Sequence, residues 1–199
     1  MSISSIPTTP GKLVTAAEFL ALPDDGRRTE LVRGKIIEMP PTQWAHGKVC
    51  LAIASILSKY IDHFDMGHGS VNDSGVVTEE NPDTVRGADA AFCSYVRIAK
   101  DSVPVGYWPE SPEIVFEVLS PSDRPGATLT KVTEYLDADV VAVILIDPED
   151  YQIHVNAKNQ TPRTLTYQDS LDLKQYLPES LPPWMVPVRE FFKYLPAPQ

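Results

Sequence analysis

Two acidic residues lie inside apolar stretches of this sequence, where a charged side chain needs a partner. Glu117 is within the apolar run 114–119, and Asp89 is within the run 88–92. Removing a carboxylate from water is costly unless it pairs with a cation or binds a metal. Carboxylates on two neighbouring core strands are oxygen ligands of the kind that hard divalent cations such as Mg²⁺ bind. The pair therefore predicts a metal site and an enzyme.

The backbone carbonyl of Val118 could add a third oxygen to this site, since Mg²⁺ needs only one or two carboxylates and keeps several waters. Such an ion polarises a phosphoryl group and lowers the pKa of water. The alternative is that Asp89 and Glu117 each pair with a buried arginine or lysine, or lie in water at a strand end. For either acid alone, this alternative is the commoner situation.

Three further residues could support the chemistry. Lys131 follows on the next predicted helix, where its ammonium could stabilise charge in a transition state, although most helix lysines are simply solvated. Glu30 could complete the metal shell or could equally pair with Arg27 or Arg28. His46 lies on the apolar side of a long predicted helix, where it could orient a water, relay a proton or be structural.

Apolar periodicity and turn residues predict the elements that must position these groups. Helices are predicted over 14–22, 43–64, 127–136 and 188–194. Strands are predicted over 29–33, 35–39, 69–79, 87–94, 112–120, 140–146, 151–155 and 164–167. This order predicts an α/β or α+β fold, in which a mixed β-sheet is flanked by helices.

The helix predicted over 127–136 places Leu129, Val132 and Leu136 on its core-facing side. Lys131 borders this apolar stripe instead of lying opposite it, and Tyr135 is predicted to pack. The helix therefore presents Lys131 towards the sheet.

Length and composition indicate an ordinary globular domain. The 199 residues are 43% hydrophobic and 22% charged, and they predict a flexible tail over 1–13 and a single domain over 14–199. No apolar stretch reaches the length of a membrane span, and Cys50 and Cys93 lack zinc-ligand spacing. A cytoplasmic location with reduced, inert cysteines is expected. The formal net charge of −10 argues against a nucleic-acid partner without excluding one.

The motif around Glu117 resembles a known family. The string Glu117-Val-Leu-Ser-Pro-Ser-Asp, then Lys131 and Tyr135, then an apolar strand ending at Asp147-Pro148, is similar to the "putative restriction endonuclease" family abundant in cyanobacteria. That family is a branch of the PD-(D/E)XK nuclease superfamily. The similarity includes the segments 30–36, 40–46, 86–89 and 190–192, so it spans nearly the whole chain.

The resemblance implies a restriction-endonuclease-like mixed sheet and a Mg²⁺-dependent endonuclease acting on DNA, with Mn²⁺ expected to substitute. Asp89 and Glu117 match the family's two metal-binding acids, and Lys131 matches the lysine that this branch carries on the helix. Glu30 matches the upstream acid, and His46 matches the histidine of the long helix. A homodimer is expected because both DNA strands must be cut.

Two departures keep other functions open. Ala88 replaces the usual proline before the first acid, and Ala127 stands where many relatives place an acid that supports Lys131. The first change should be tolerable because the carboxylate is retained, but the acidic surface and Ala127 favour a catalytically inactive nuclease fold that acts as a binding or interaction protein, which is the first alternative. A metal-free hydrolase with two carboxylates is the second, and it gives Lys131 no role.

Overall fold

The computed structural model describes residues 12–102, 105–121 and 123–198. The predicted flexible tail over 1–13 lies outside the described residues except for Lys12 and Leu13. Ser122, within the string that carries the family resemblance, also lies outside them. No helix in the described ranges is long and apolar enough to cross a membrane.

The regular elements follow the predicted order. The α-helices of the described chain are α1 (Ala16–Leu20), α2 (Trp44–Phe64) and α3 (Pro125–Asp137). The strands are β1 (Thr29–Val32), β2 (Lys35–Glu38), β3 (Gly67–Glu79), β4 (Thr84–Ser94), β5 (Ile114–Val118), β6 (Ala142–Asp147), β7 (Gln152–Ala157), β8 (Arg163–Leu165), β9 (Ser170–Asp172) and β10 (Met185–Pro187). Two 3₁₀ turns cover Leu173–Tyr176 and Val188–Phe192.

Local sequence explains several boundaries. Thr15 and Glu18 form a capping box at the start of α1. Arg33 and Gly34 both have positive φ, which gives the tight two-residue turn of the predicted β1–β2 hairpin. Pro125 occupies the first turn of α3, where its missing N–H costs no helical hydrogen bond.

The large sheet is mixed, as predicted. Its strand order is β2-β1-β4-β5-β6-β7-β8, with β3 paired to β4. The β5–β6 pair is parallel, and the other pairs are antiparallel. Because β3 follows one edge of β4 along its length, β1 and β5 share the other edge. On that edge, β1 pairs at Val85 and β5 pairs from Ala90 onward. Residues 86–89 therefore lie where β4 changes partner.

Helices and turns cover both faces of the sheet. Helix α2 packs on one face with the C-terminal segments, in the larger core cluster that includes Phe92 and Phe116. Helix α3 packs on the other face, in a smaller cluster that includes Val115 and Tyr135. Ile114 and Val118 also fall in the first cluster, so side chains alternate between the two faces of the sheet along β5.

The prediction for the core-facing side of α3 is partly wrong. Val132 is buried, but Leu129 is 60% exposed and Leu136 is only partly buried. Tyr135 is fully buried and lies on the core-facing side of α3, where Leu129 was expected. Helix α3 is rotated relative to the prediction because the side chains of Lys131 and Tyr135 both bond to groups of the sheet. The apolar periodicity behind the prediction takes no account of such polar contacts.

The C-terminal region differs from the prediction in detail. β9 and β10 form a separate two-stranded sheet that the sequence did not indicate, because three-residue strands are too short to show alternation. The helix predicted over 188–194 is the 3₁₀ turn Val188–Phe192. These segments complete the core cluster under α2.

An aromatic stack ties α2 to this C-terminal region. The rings of Tyr60 and Trp184 are 3.9 Å apart between centroids and nearly parallel, and Trp184 is 5% exposed. The Tyr60 hydroxyl also donates to the carbonyl of Pro182 at 3.0 Å. The contact joins residues far apart in sequence, so its loss should weaken the whole core.

We predict that Trp184→Ala lowers the free energy of unfolding by about 3–5 kcal/mol, because it empties a packed core position. Trp44→Ala is the matched control, since Trp44 is 68% exposed and its main contact is the Lys48 ammonium 4.8 Å from its ring. The control should cost about 1 kcal/mol or less. Urea denaturation measures both variants, and equal losses would contradict the assigned role of the stack.

Candidate active site

The candidate site lies at the point where β4 changes partner from β1 to β5. Within the described part of the chain, no strand lies opposite Gly87 on this edge, and side chains bind its backbone N–H and carbonyl instead. The Gly87 N–H donates to Glu30 Oε1 at 3.1 Å, and its carbonyl accepts from Lys131 Nζ at 3.0 Å. Backbone groups inside a protein require such partners. The side chains of Glu30 and Lys131 therefore meet at this break in the sheet.

Glu117 projects from β5 towards α3 and contacts two of its side chains. Lys131 Nζ donates to Glu117 Oε2 at 2.8 Å, and the Tyr135 hydroxyl donates to Oε1 at 2.8 Å. Lys131 Nζ is also 3.1 Å from Glu30 Oε1. The positions of Lys131 and Tyr135, four residues apart on one helix face, explain why both reach the same carboxylate.

Asp89 projects from β4 towards α2 and the end of β5. Its Oδ2 accepts from the Val118 N–H at 2.8 Å and lies 3.2 Å from His46 Nε2. Burial opposes ionisation of Asp89, but the bonds to His46 and Val118 outweigh it and hold the pKa of this carboxyl below its usual range. Among the described residues, its Oδ1 has no hydrogen-bond partner.

The Val118 carbonyl faces the same edge as its N–H. The next residue, Leu119, donates its N–H to the Ile146 carbonyl of β6. Backbone groups of successive strand residues point to opposite edges, so those of Val118 point away from β6 and towards Asp89. This carbonyl is therefore directed to the gap beside β4.

Glu30 is paired, although not with the arginines considered from the sequence. Its Oε2 accepts from Arg86 Nη1 at 2.7 Å, and Arg86 Nε donates to Glu134 Oε2 at 2.6 Å. Arg27 and Arg28 pair with other acids. The proposed pairing of Glu30 with Arg27 or Arg28 is therefore wrong, because Arg86 on the adjoining strand is closer in space.

Sequence reasoning also missed the parts played by Arg86, Glu134 and Tyr135. Arg86 belongs to the same largely apolar strand as Asp89, so it carried the same signal of a charge among apolar residues. Glu134 and Tyr135 follow Lys131 at helical spacing on the same face of α3. Their polar groups could have been read as part of the site on that basis.

A cleft of about 790 Å³ opens over these groups. Its lining includes Asp89, Glu117, Val118, Lys131 and His46, so the structure brings the sequence-predicted residues to one place; Glu30 lines it as well. Arginines at positions 27, 28 and 124 also line the cleft. The negative net charge of the chain is therefore not uniform around the site.

The site holds more negative than positive charge. Four carboxylates, those of Glu30, Asp89, Glu117 and Glu134, face only two permanently cationic side chains. Burial raises the pKa of Glu117 to about 8; Lys131 opposes this rise, and the Asp89 and Glu30 carboxylates add to it. A further cation at this position would offset that excess.

The donor set fits a hard divalent cation. Asp89 keeps one oxygen without a partner among the described residues, and the Val118 carbonyl points to the same gap. Glu117 lines the same cleft. Another buried acid, Glu113, provides a contrast because Ser94 and Arg97 bind its carboxylate. Glu113 is therefore structural, whereas Asp89 has an oxygen available for a ligand.

We predict that the stability of the metal-free protein falls as pH rises from about 5 to about 8. Glu117 has a pKa of 4.5 when unfolded and about 8 when folded, so in this window only the folded state retains its proton. Glu117→Gln lacks this contribution, and wild type should lose on the order of 3 kcal/mol relative to it. Urea denaturation with a chelator measures the difference, and parallel pH profiles would contradict the raised pKa.

Comparisons with known proteins agree with the fold. One solved structure, described as a putative nuclease belonging to DUF820 from Anabaena variabilis, superposes with a TM-score of 0.75 and 18% sequence identity. The alignment covers 92% of this chain and 99% of that chain. No curated protein matches the sequence.

A family comparison covers most of the chain. The family described as "Putative restriction endonuclease" (Uma2) matches residues 16–184. The match includes every residue of the site described above, from Glu30 on β1 to Tyr135 on α3. The chain therefore belongs to the Uma2 family, whose description is "putative restriction endonuclease".

Proposed function

We propose that this protein is a Mg²⁺-dependent endonuclease that hydrolyses phosphodiester bonds in DNA, with Mn²⁺ able to substitute. The observation that carries the proposal is the meeting of Asp89, Glu117 and Lys131 at one cleft where β4 changes partner. Membership of the family supports a nuclease function. The site resembles the PD-(D/E)XK arrangement, with the lysine supplied by α3 instead of the position of Leu119.

The cation would be held by oxygen atoms of Asp89, Glu117 and the Val118 backbone. All three are hard donors that suit Mg²⁺, and two carboxylates are enough because this ion keeps several waters. When bound, Mg²⁺ would polarise a phosphoryl oxygen and lower the pKa of water. His46 acts as a positioning residue, since its contact with Asp89 Oδ2 leaves Oδ1 directed elsewhere.

Lys131 would stabilise negative charge on the phosphoryl group and help to position the attacking water. Burial opposes its protonation, but the Glu117 and Glu30 carboxylates outweigh burial and raise the pKa of Lys131 above its usual range. The side chain therefore remains cationic at neutral pH. Glu30 supports it from the other side at 3.1 Å, while Arg86 fixes Glu30.

The cleft lining supports an anionic substrate despite the acidic chain. Arg27, Arg28 and Arg124 line the cleft around the proposed centre. Phosphates on either side of the cleaved bond could contact these guanidinium groups, which suit planar bidentate contacts with phosphate. Arg27 and Arg28 pair with acids in the metal-free protein, and DNA phosphates would compete with those carboxylates for the guanidinium groups.

The structure weakens the reason for preferring an inactive binding protein. That alternative rested on the acidic surface and on Ala127, which removes an acid expected to support Lys131. Lys131 nevertheless contacts Glu117, Glu30 and the Gly87 carbonyl without any group at position 127. A metal-free hydrolase accounts less well for the site, because it assigns no role to this lysine. A homodimer and a cytoplasmic location remain predictions.

We predict that purified protein cleaves plasmid DNA with Mg²⁺ or Mn²⁺ and that Glu117→Gln lowers the rate at least about 100-fold, because it removes a charged metal ligand. The control is Glu179→Gln, an equal change at an exposed position far from the cleft. It should cleave at the wild-type rate. A folded wild-type protein that neither cleaves nucleic acid nor binds Mg²⁺ in calorimetry would contradict the proposal.

We predict that Lys131→Met retains Mg²⁺ binding but lowers the cleavage rate at least about 100-fold, since it removes charge stabilisation and not a ligand. Lys59→Met on the exposed face of α2 is the matched control and should be fully active. Calorimetry and single-turnover cleavage separate the two effects. Wild-type cleavage by Lys131→Met would exclude the assigned role.

A further inference from the structure

One cluster beside the proposed Mg²⁺ centre contains a soft donor that the proposed reaction does not use. Cys50 lies four residues after His46 on α2, and its Sγ is 3.4 Å from His46 Nδ1, so the expectation that Cys50 lacks zinc-ligand spacing is wrong. The opposite ring nitrogen, Nε2, is 3.2 Å from Asp89 Oδ2. Ligand atoms of Cys50, His46 and Asp89 all lie within 4.8 Å of one another. The thiol, the imidazole and the carboxylate therefore form a continuous series.

These distances match those around a thiophilic cation. Two ligands of tetrahedral Zn²⁺, with Zn–S of about 2.3 Å and Zn–N of about 2.0 Å, are separated by roughly 3.5 Å. Cys50 and His46 already have that separation. A histidine that binds a metal generally donates its other N–H to a carboxylate, which fixes the ring. Asp89 occupies the position of that carboxylate.

We propose that Cys50 and His46 form a second cation site, for thiophilic ions such as Zn²⁺ or Cd²⁺, and that its occupancy weakens Mg²⁺ binding through Asp89. Oxygen donors dominate the Mg²⁺ centre, whereas sulfur and imidazole favour the softer ions. Asp89 links the two sites because its Oδ2 faces His46 while its Oδ1 is available to Mg²⁺. The second half of this inference rests on the proposed function; the first half does not.

Binding at this site exchanges a proton for the cation. Burial raises the pKa of the Cys50 thiol to about 12, so the S–H bond is intact at neutral pH in the metal-free protein. The cation forms a bond to sulfur as the thiol proton passes to solvent. His46 Nδ1 supplies a lone pair while Nε2–H remains donated to Asp89.

The coupling between the sites has an electrostatic cause. A dication on Nδ1 makes Nε2–H a stronger donor, which holds Asp89 Oδ2 more firmly and withdraws its charge from Mg²⁺. The two dications would also repel one another, since only the His46 ring and the Asp89 carboxylate would separate them. Linkage requires the effect to be reciprocal, so Mg²⁺ must weaken the thiophilic ion by the same factor.

Co²⁺ is the direct probe, because a thiolate ligand gives it a charge-transfer band in the near ultraviolet. The band should appear when metal-free wild type is titrated with Co²⁺, and Zn²⁺ should remove it by displacement. Cys50→Ala should lack the band. Cys93→Ala, which removes the other thiol of the chain, should retain it. Circular dichroism checks folding, and Cys50→Ser replaces Cys50→Ala if the latter is unfolded.

The absence of the band in wild type, or its presence in a folded Cys50 variant, would overturn the site. This result does not depend on nuclease activity, so it is separate from any failure of the proposed function. Saturating Mg²⁺ should raise the Co²⁺ midpoint about fivefold or more. An unchanged midpoint in a protein that binds Mg²⁺ by calorimetry would overturn the coupling.

Activity gives a second readout of the same site. Zn²⁺ added to a Mg²⁺-supported cleavage reaction should inhibit wild type and Cys93→Ala at similar concentrations. Cys50→Ala, compared with its own zinc-free rate, should require at least about tenfold more Zn²⁺. Equal sensitivity of the two cysteine variants would contradict inhibition through Cys50.

Discussion

The site depends on one interruption in the pairing of β4. Between Val85 and Ala90, one edge of this strand pairs with neither β1 nor β5. Gly87 is half-buried at the edge of the cleft, and Glu30 and Lys131 bind its N–H and its carbonyl in place of a strand. The need to satisfy this short length of backbone brings residues from β1 and α3 to the same point.

More carboxylates than cationic side chains lie around the same interruption in the sheet. Arg86 joins Glu30 to Glu134, and Lys131 joins Glu30 to Glu117, which leaves the site short of positive charge. Burial, with the neighbouring Asp89 and Glu30 carboxylates adding to it, raises the pKa of Glu117, whereas the bonds to His46 and Val118 lower the pKa of Asp89. A divalent cation offers a physical resolution of this imbalance, and it would also supply the chemistry expected of the family.

The sequence indicated the parts of the site that differ from their immediate surroundings. Glu117 and Asp89 could be identified because each is a charge within an apolar run, and Lys131 because it borders the apolar stripe of the next predicted helix, a position that the family resemblance then matched. The bridge from Arg86 to Glu134 could not be predicted, because it joins residues 48 positions apart in the chain. The exposure of Leu129 was missed for a related reason: polar bonds of the neighbouring residues, and not apolar periodicity, determine how α3 faces the sheet.

The account depends most directly on whether a cation binds between β4 and β5. A crystal structure of the protein soaked in Mn²⁺, with anomalous scattering used to locate the ion, would test this. We expect one Mn²⁺ peak within bonding distance of both Asp89 and Glu117, with the Val118 carbonyl as a further ligand. A well-ordered cleft without a peak there, at a Mn²⁺ concentration that saturates binding in solution, would contradict the assignment.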